Sequence, residues 1–400
     1  MIRLATLALI LTALTAGAAS QEMIMRSVWG KRGVVVSAVD SNLYFYSTGH
    51  AANWTAPYMT ASQTNMTWIN PVGFSTNTVA PGINFFTNAG IYTITCPDWS
   101  KVTRMVFYSG AASRNYLTNM ANVAYVSTRL SGLTSMDNMY RDQTLYPKTA
   151  DWDLSQLTNV TTLYYAWYGC TGLTNAPDVN TLTNVTTLGG AWRGCTGLKT
   201  APAVNALTEV TTLDKAWYGC TGLTNAPDVN TLTNVTTLYY AWRGCTGLTN
   251  APAVNALTKV TTLSSAWHSC SGLTNAPDVN TLTKVTTLYY AWYGCTGLKT
   301  APAVNALTEV TTLSAAWYSC SGLTNTLDSI FGGYTSLTNI TTSQNAFYNC
   351  YRMSGVGSNF VNAIKHPTYS VGTATNNSSY RTFYNCTNLT DYATIPAAYK

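Results

Sequence analysis

The chain has 400 residues, 46% hydrophobic and only 9% charged, with a net charge of +6. Globular proteins usually carry about 25% charged residues, so this composition argues against a charged disordered tail and an ordinary cytosolic enzyme surface; Thr, Asn, Ser and Tyr must cover the outside. Lys and Arg are scattered, whereas a phosphate-binding stripe needs clustered cations, so no nucleic-acid partner is expected.

Residues 1–20 read as a signal-like hydrophobic leader. Arg3 supplies the positive region, Leu4 to Thr15 the apolar run, and Ala16-Gly17-Ala18 or Ala18-Ala19-Ser20 a small-residue cleavage site. The run is short for a bilayer span of about 20 residues, and no other stretch looks transmembrane. Secretion or surface display is expected, unless the leader is kept as an anchor or assembly peptide. Residues 21–110 alternate apolar and polar positions between turn formers, as in Val34-Val35-Val36, Leu43-Tyr44-Phe45-Tyr46 and Ile91-Tyr92-Thr93-Ile94. That pattern predicts a small all-β domain. Residues 111–156 read as degenerate N-terminal cap repeats: Ser131-Gly132-Leu133 echoes a later Thr-Gly-Leu, and Asp142 of Met139-Tyr140-Arg141-Asp142 is placed where a Cys recurs later.

From 157 to 325 one phrase returns every 25 residues. Its first copy runs from Leu157-Thr-Asn-Val160 through Trp167-Tyr-Gly-Cys170-Thr-Gly172-Leu173 to Pro177 and Asn180. The landmark pairs are Trp167 and Cys170, Trp192 and Cys195, Trp217 and Cys220, Trp242 and Cys245, Trp267 and Cys270, Trp292 and Cys295, and Trp317 and Cys320. A fixed period of this length marks a solenoid, in which each unit buries its apolar face only against the next. Residues 326–400 read as degenerate C-terminal repeats and a cap, since Phe347-Tyr348-Asn349-Cys350 and Phe383-Tyr384-Asn385-Cys386 keep the aromatic-x-x-Cys core without the spacing.

Within a coil, Gly172-Leu173 to Pro177 has the length of one short parallel strand. Leu157, Val160, Tyr164 and Trp167 have helical spacing and predict a short helix or 3-10 segment, although the central Thr-Thr weakens it. Stacked Trp and Cys positions should form buried columns. Asn180, Asn205, Asn230, Asn255, Asn280 and Asn305 should form an asparagine ladder that satisfies backbone groups. Asp178, Asp228 and Asp278 alternate with Ala203, Ala253 and Ala303. Skipping a rung separates like charges by about 10 Å, near the Debye length, and duplication of a two-repeat unit yields the same alternation.

Asn159-Val160-Thr161-Thr162-Leu163 followed by Trp167-Tyr168-Gly169-Cys170-Thr171-Gly172-Leu173 resembles the signature of the BspA-like (treponemal-type) leucine-rich repeats and the related DUF285 surface repeats. Trp stands here for the family's usual Phe. The resemblance implies a leucine-rich-repeat solenoid and a binding scaffold on a cell surface; similar repeats behind a PKD-like module occur in phage structural proteins. Phe85-Phe86-Thr87-Asn88-Ala89-Gly90-Ile91-Tyr92-Thr93-Ile94-Thr95 is similar to the closing strands of PKD-like modules, but their Trp-Gly-Asp-Gly turn is absent at Trp68-Ile69-Asn70-Pro71.

The Cys of the array, among ten in the chain, read as a column of buried free thiols with Cys96 outside it; disulfides are the alternative for a secreted protein, but in-register side chains point the same way and not at each other. Metal binding lacks ligands: the histidines are His50, His268 and His366, and no Cys-x-x-Cys occurs. No metal, cofactor or catalytic residue is expected, and the Cys270–His268 pair is read as two repeat positions.

The informative positions are those where near-identical copies disagree. The pair after Thr-Thr-Leu reads Tyr164-Tyr165, Gly189-Gly190, Asp214-Lys215, Tyr239-Tyr240, Ser264-Ser265, Tyr289-Tyr290 and Ser314-Ala315. The residue after Trp reads Tyr168, Arg193, Tyr218, Arg243, His268, Tyr293 and Tyr318. Core positions could not accept Gly, Lys and Tyr interchangeably, so part of this set must face solvent, and Tyr and Arg are the residues of binding hot spots. The expected function is non-catalytic adhesion to a host surface protein or glycan. A virion or tail-fibre structural protein and a filament-forming subunit are the alternatives, and either would bring virion partners or self-assembly.

Overall fold

The computed structural model describes residues 131–142, 154–364 and 381–400, preceded by short strands together with Met66, Cys96 and Lys101. The leader and much of residues 21–130 lie outside the described residues. Strand β1 (Met23–Arg26) pairs antiparallel with β2 (Gly33–Val36). One sheet takes the order β6 (Ser75–Asn77), β5 (Thr67–Ile69), β7 (Gly90–Thr95), β3 (Asn42–Ser47) and β9 (Met120–Ala124). Strand β4 (Tyr58–Ala61) pairs with β8 (Val102–Val106). Trp68 and Ile94 face each other across β5 and β7, and both are buried. No helix among the described residues is long and apolar enough to cross a membrane.

The solenoid grows from β8. Arg104 bridges to Ser135, Ser135 to Thr162, and Thr162 to Thr187, always parallel, and the column continues to Thr342. A second bridge column runs from Asn175 through Thr200 and Asn225 to Thr300. Each contact is an isolated bridge, so the short strand expected in each coil is reduced to one residue.

The expected helix or 3-10 segment is likewise replaced, by linked tight turns. The inward residues Leu157, Val160, Leu163, Ala166, Cys170 and Leu173 are fully buried, as is Trp167, whereas Tyr164 is exposed. Their spacing is almost uniformly three, not the helical 3.6. The amides of Val160, Ala166, Cys170 and Leu173 donate to the carbonyls of Leu157, Leu163, Trp167 and Cys170, at 3.0–3.1 Å. The intervening N–H groups cross to the neighbouring coil: Leu163, Tyr165, Trp167 and Gly169 donate to Thr187, Gly189, Ala191 and Arg193 carbonyls at 2.7–3.2 Å. Two left-handed residues per coil, such as Tyr165 (φ 54°) and Gly169 (φ 72°), belong to this arrangement.

The columns follow. Trp167 through Trp317 stack with ring centroids 5.5–5.6 Å apart and interplanar angles of 2–9°. Tyr140 extends the column below Trp167, and Phe347 and Phe383 extend it above Trp317. Tyr140, not Met139, therefore holds the Trp position. Asp142 then corresponds to Gly169, whose left-handed backbone it shares at φ 58°, and not to a Cys. All ten Cys are buried, and the nine from Cys170 to Cys386 are free thiols. Each thiol in the array donates across coils, as Cys195 Sγ does to the Trp167 carbonyl at 3.0 Å and Cys220 Sγ to the Trp192 carbonyl at 3.0 Å. Burial pushes the Cys245 thiol well above its ordinary range, with the neighbouring thiols Cys220 and Cys270 adding to the rise.

The asparagine ladder forms on alternate rungs only. Asn180, Asn230 and Asn280 accept the amides of Ala206, Ala256 and Ala306 in the next coil, each at 2.8 Å. Asn205, Asn255 and Asn305 are exposed. The carboxylates of Asp178, Asp228 and Asp278 accept the amides of Asn180, Asn230 and Asn280 at 2.9–3.0 Å. Thr231 and Thr281 donate back to the Asn205 and Asn255 carbonyls at 2.7 and 2.6 Å. The alternation of coils is thus a two-coil hydrogen-bonding unit.

Beyond Cys320 the spacing widens. Helix α1 (Leu327–Phe331), capped by the Thr326 hydroxyl, and a 3-10 turn (Thr335–Asn339) enter there, and Phe331 packs edge-on against Trp317 and Phe347. Helix α2 (Gly357–Ala363) brings Phe360 against Phe331 and Phe383, and Asp391 accepts the Gly357 and Ser358 amides at its start. The amides of Arg381 and Phe383 are taken by the carbonyls of Ala398 and Tyr399 at 2.9 and 2.7 Å, which closes the hydrogen-bonding edge.

Candidate functional site

The disagreeing positions converge on one face, where the structure divides them into two columns with different properties. The residue after Trp stacks in two runs, Arg141 to Arg243 and His268 to Tyr384. Arg141 lies over Tyr168 at 4.6 Å, Arg193 over Tyr168 and Tyr218 at 5.3 and 4.7 Å, and Arg243 over Tyr218 at 5.5 Å. Then His268 stacks on Tyr293 at 4.6 Å, Tyr293 on Tyr318 at 4.5 Å, Tyr318 on Tyr348 at 4.6 Å, and Tyr348 on Tyr384 at 4.4 Å. Tyr, Arg and His share one property, a flat delocalised group, and that is what this position requires. Such contacts contribute about 0.5–1 kcal/mol each at exposed sites. Because the ring faces meet neighbouring rungs, this column offers a partner mainly edges.

Sequence reasoning left Arg141, Tyr348 and Tyr384 out of the site. The signal was present: each follows the aromatic landmark directly, after Tyr140, Phe347 and Phe383.

The pair positions obey a rule of large over small. The rings of Tyr164 and Tyr165 lie over Gly189 and Gly190: a Cβ on Gly189 would stand 3.0 Å from Tyr164 Cδ2, and one on Gly190 would collide with the Tyr165 ring. Tyr239-Tyr240 is followed by Ser264-Ser265, both buried, and Tyr289-Tyr290 by Ser314-Ala315, of which Ala315 is buried. Within each pair the rings are 4.0–4.2 Å apart at their centroids. A hydrogen bond to Tyr240, with burial behind it, pushes the Tyr239 hydroxyl up to about 12. The hydrogen bond from Tyr239 lowers Tyr240, helped by Ser265 and Arg243 against the opposing effect of burial. Burial, then the bond to Tyr290, pushes Tyr289 to about 12. Lys215 Nζ sits 5.5 Å from the Tyr239 ring centre.

Tyr164, Tyr239 and Tyr289 remain exposed at 44%, 36% and 44%. Tyr165, Tyr240 and Tyr290 are half-buried and brace them.

His268 and Cys270 do not form a reactive pair. Cys270 Sγ donates to the Trp242 carbonyl at 3.0 Å, and burial pushes its thiol up to about 12. His268 lies in the stack with Nδ1 2.8 Å from Ser269 Oγ. Burial, and then the Arg243 charge, lower it from 6.5 to about 4. Between those values the unfolded chain binds a proton there and the folded chain does not. The contribution of His268 is therefore complete above pH 6.5 and lost as pH falls toward 4. His268→Tyr, the residue other rungs carry, should remove that loss. Unfolding free energies of variant and parent, from urea titrations at each pH, should diverge only below pH 6.5, by on the order of 1 kcal/mol once partial exposure is discounted. A constant offset at every pH would contradict the assignment.

Among the described residues no group of three or more His, Cys, Asp or Glu could hold a metal ion. A small apolar cavity of about 10 Å³ lies between the last regular coil and the inserted helix, lined by residues including Leu288, Leu307, Phe331 and Leu337; it is too small for a ligand.

No protein-family model and no curated protein matches the sequence. Among solved structures, the chain is similar to a leucine-rich repeat protein from Eubacterium ventriosum, with 15% identity and a TM-score of 0.29 over 62% of this chain and 79% of that one.

Proposed function

We propose that this protein is a non-catalytic binding protein, displayed on a surface, that engages a glycan or protein partner through the tyrosine face. The observation that carries the reading is the row of exposed rings at Tyr164, Tyr239 and Tyr289, each braced by a second tyrosine. Pre-braced aromatic side chains bind at low entropic cost. Cys270 and His268, which have the chemistry for nucleophilic work, are both absorbed into columns. The reading includes membership of the BspA-like type of repeat, secretion or cell-surface location, and a small β domain in residues 21–110 as the attachment module. A filament subunit is less well supported, because the carbonyls of Ala398 and Tyr399 occupy the C-terminal edge on which a second copy would pair.

The test is retention of the full chain on a panel of immobilised polysaccharides and mucin. Parent protein should be retained on at least one of them. A triple Tyr164→Ser, Tyr239→Ser, Tyr289→Ser variant should lose at least about tenfold in affinity there, or ~1.4 kcal/mol, with its circular dichroism unchanged. Equal retention of the variant would sink the reading, and no retention of the parent anywhere would sink its glycan half.

A further inference from the structure

The spacing of the exposed rings carries more than the rings themselves. All three occupy one repeat position, so they lie in a line parallel to the solenoid axis. Tyr239 and Tyr289 are two coils apart, and Tyr164 and Tyr239 three. Between them the same position is low: Gly189 and Ser264 are buried and Asp214 is half-buried. The result is a ridge–hollow profile whose unit is one coil. Ring centroids of neighbouring coils are 4.4–4.6 Å apart in the outer column and 5.5–5.6 Å apart in the Trp column. One pyranose in an extended, equatorially linked polysaccharide advances by closely the same length. Such sugars present flat faces of C–H groups, which suit exposed aromatic rings, and a rim of hydroxyls, which suits the surrounding Tyr, Ser and Thr.

We propose that the three tyrosines are subsites for a single uncharged, β-linked polysaccharide chain lying parallel to the solenoid axis, one sugar per coil. This rests on the reading of the tyrosine face as the binding surface and adds the ligand class, direction and register. Tyr239 and Tyr289 then contact sugars n and n+2, which a two-fold extended chain turns the same way. Tyr164 contacts the third sugar beyond Tyr239, so six sugars are needed to reach all three rings. A folded protein partner would have no reason to match a one-coil unit, and a helical α-linked glucan would curve away from a straight row.

The experiment is calorimetric titration of the full chain with β-1,4-linked glucose oligomers of three and six sugars, and with the α-1,4-linked hexamer. The β-linked hexamer should bind at least tenfold more tightly than the trimer, since linked subsites act at high effective concentration. The α-linked hexamer should bind at least tenfold more weakly than its β-linked counterpart. Tyr164→Ala should bring the hexamer down to the trimer's affinity and leave the trimer unchanged, while Tyr289→Ala should weaken both. Tyr164→Phe keeps the ring and should keep hexamer binding, which separates a lost contact from a damaged coil. Equal affinity for trimer and hexamer, no preference for the β linkage, or no binding of the β-linked hexamer would overturn the proposal. If mucin retention still depended on the tyrosines in that case, the broader reading would stand and only the polysaccharide assignment would fail.

Discussion

Replacing Trp242 by Ala should lower stability by about 3–5 kcal/mol, the usual cost of deleting a buried large aromatic, whereas Trp242→Phe should cost less than about 1.5 kcal/mol, as conservative core swaps do. Trp242 is fully buried and stacked on both faces, against Trp217 and Trp267 at 5.6 Å. Ala removes both contacts and opens a cavity that the flanking indoles cannot fill. Phe keeps both faces, and the chain already shows that it fits, because Phe347 and Phe383 continue the same column at interplanar angles of 2° and 6°. Phe also removes a liability. The indole N–H groups of Trp167 through Trp317 are buried without a hydrogen-bond partner among the described residues. An unsatisfied buried donor costs about 1–3 kcal/mol, which offsets much of the lost area. Urea unfolding midpoints read both effects. Comparable losses for Phe and Ala would mean that the indole nitrogens do have partners.

The second large effect is Gly247→Ala. A Cβ there would stand 2.7 Å from the Thr221 carbonyl oxygen and 3.1 Å from that of Leu223, both backbone atoms of the preceding coil. Neither can rotate away, and the Gly247 amide bonds the same Thr221 oxygen at 3.1 Å. The coils would have to part, breaking that bond and overpacking the stack, at a cost of about 3 kcal/mol or more. Gly244→Ser is the instructive contrast. Gly244 has φ 74°, and Ser269 and Ser319 already hold the equivalent place at φ 59° and 56°. A Cβ on Gly244 would lie 3.7 Å from Gly219 Cα, its nearest neighbour, so the change should cost only the left-handed penalty of about 1–2 kcal/mol. The two glycines of one coil thus serve different ends, close approach and backbone handedness. Similar midpoints for the two variants would contradict the close approach at Gly247.

These contrasts show what could be read from the residues and what could not. The 25-residue period and the Trp and Cys columns were plain, because near-identical copies can only stack. The path of the chain within a coil was not. Leu157, Val160 and Leu163 recur at three residues, but counting Tyr164 as inward made the pattern look helical. The Asp178-x-Asn180 step was visible, yet its cross-coil partner Ala206 was not, since pairing between coils is invisible in one copy. The tyrosine face was legible as composition and opaque as geometry. The restriction to Tyr, Arg and His after Trp was a stacking rule, and the alternation of Tyr-Tyr with Gly-Gly or Ser-Ser was a packing rule. Read as variability alone, they merged three exposed rings with a column that is already occupied.

The register of the coils underlies every statement about that face, and the thiols report it most directly. The measurement is intact mass after treatment with an alkylating reagent, first on the native protein and then on protein unfolded without reductant. In-register coils with each Cys bound to a carbonyl of the coil before it should leave Cys170 through Cys320 unlabelled in the native state and label every one of them on unfolding. Native labelling within the array, or unfolded protein lacking labels in pairs, would mean that the coils do not stack in this register and that the tyrosines do not form a row.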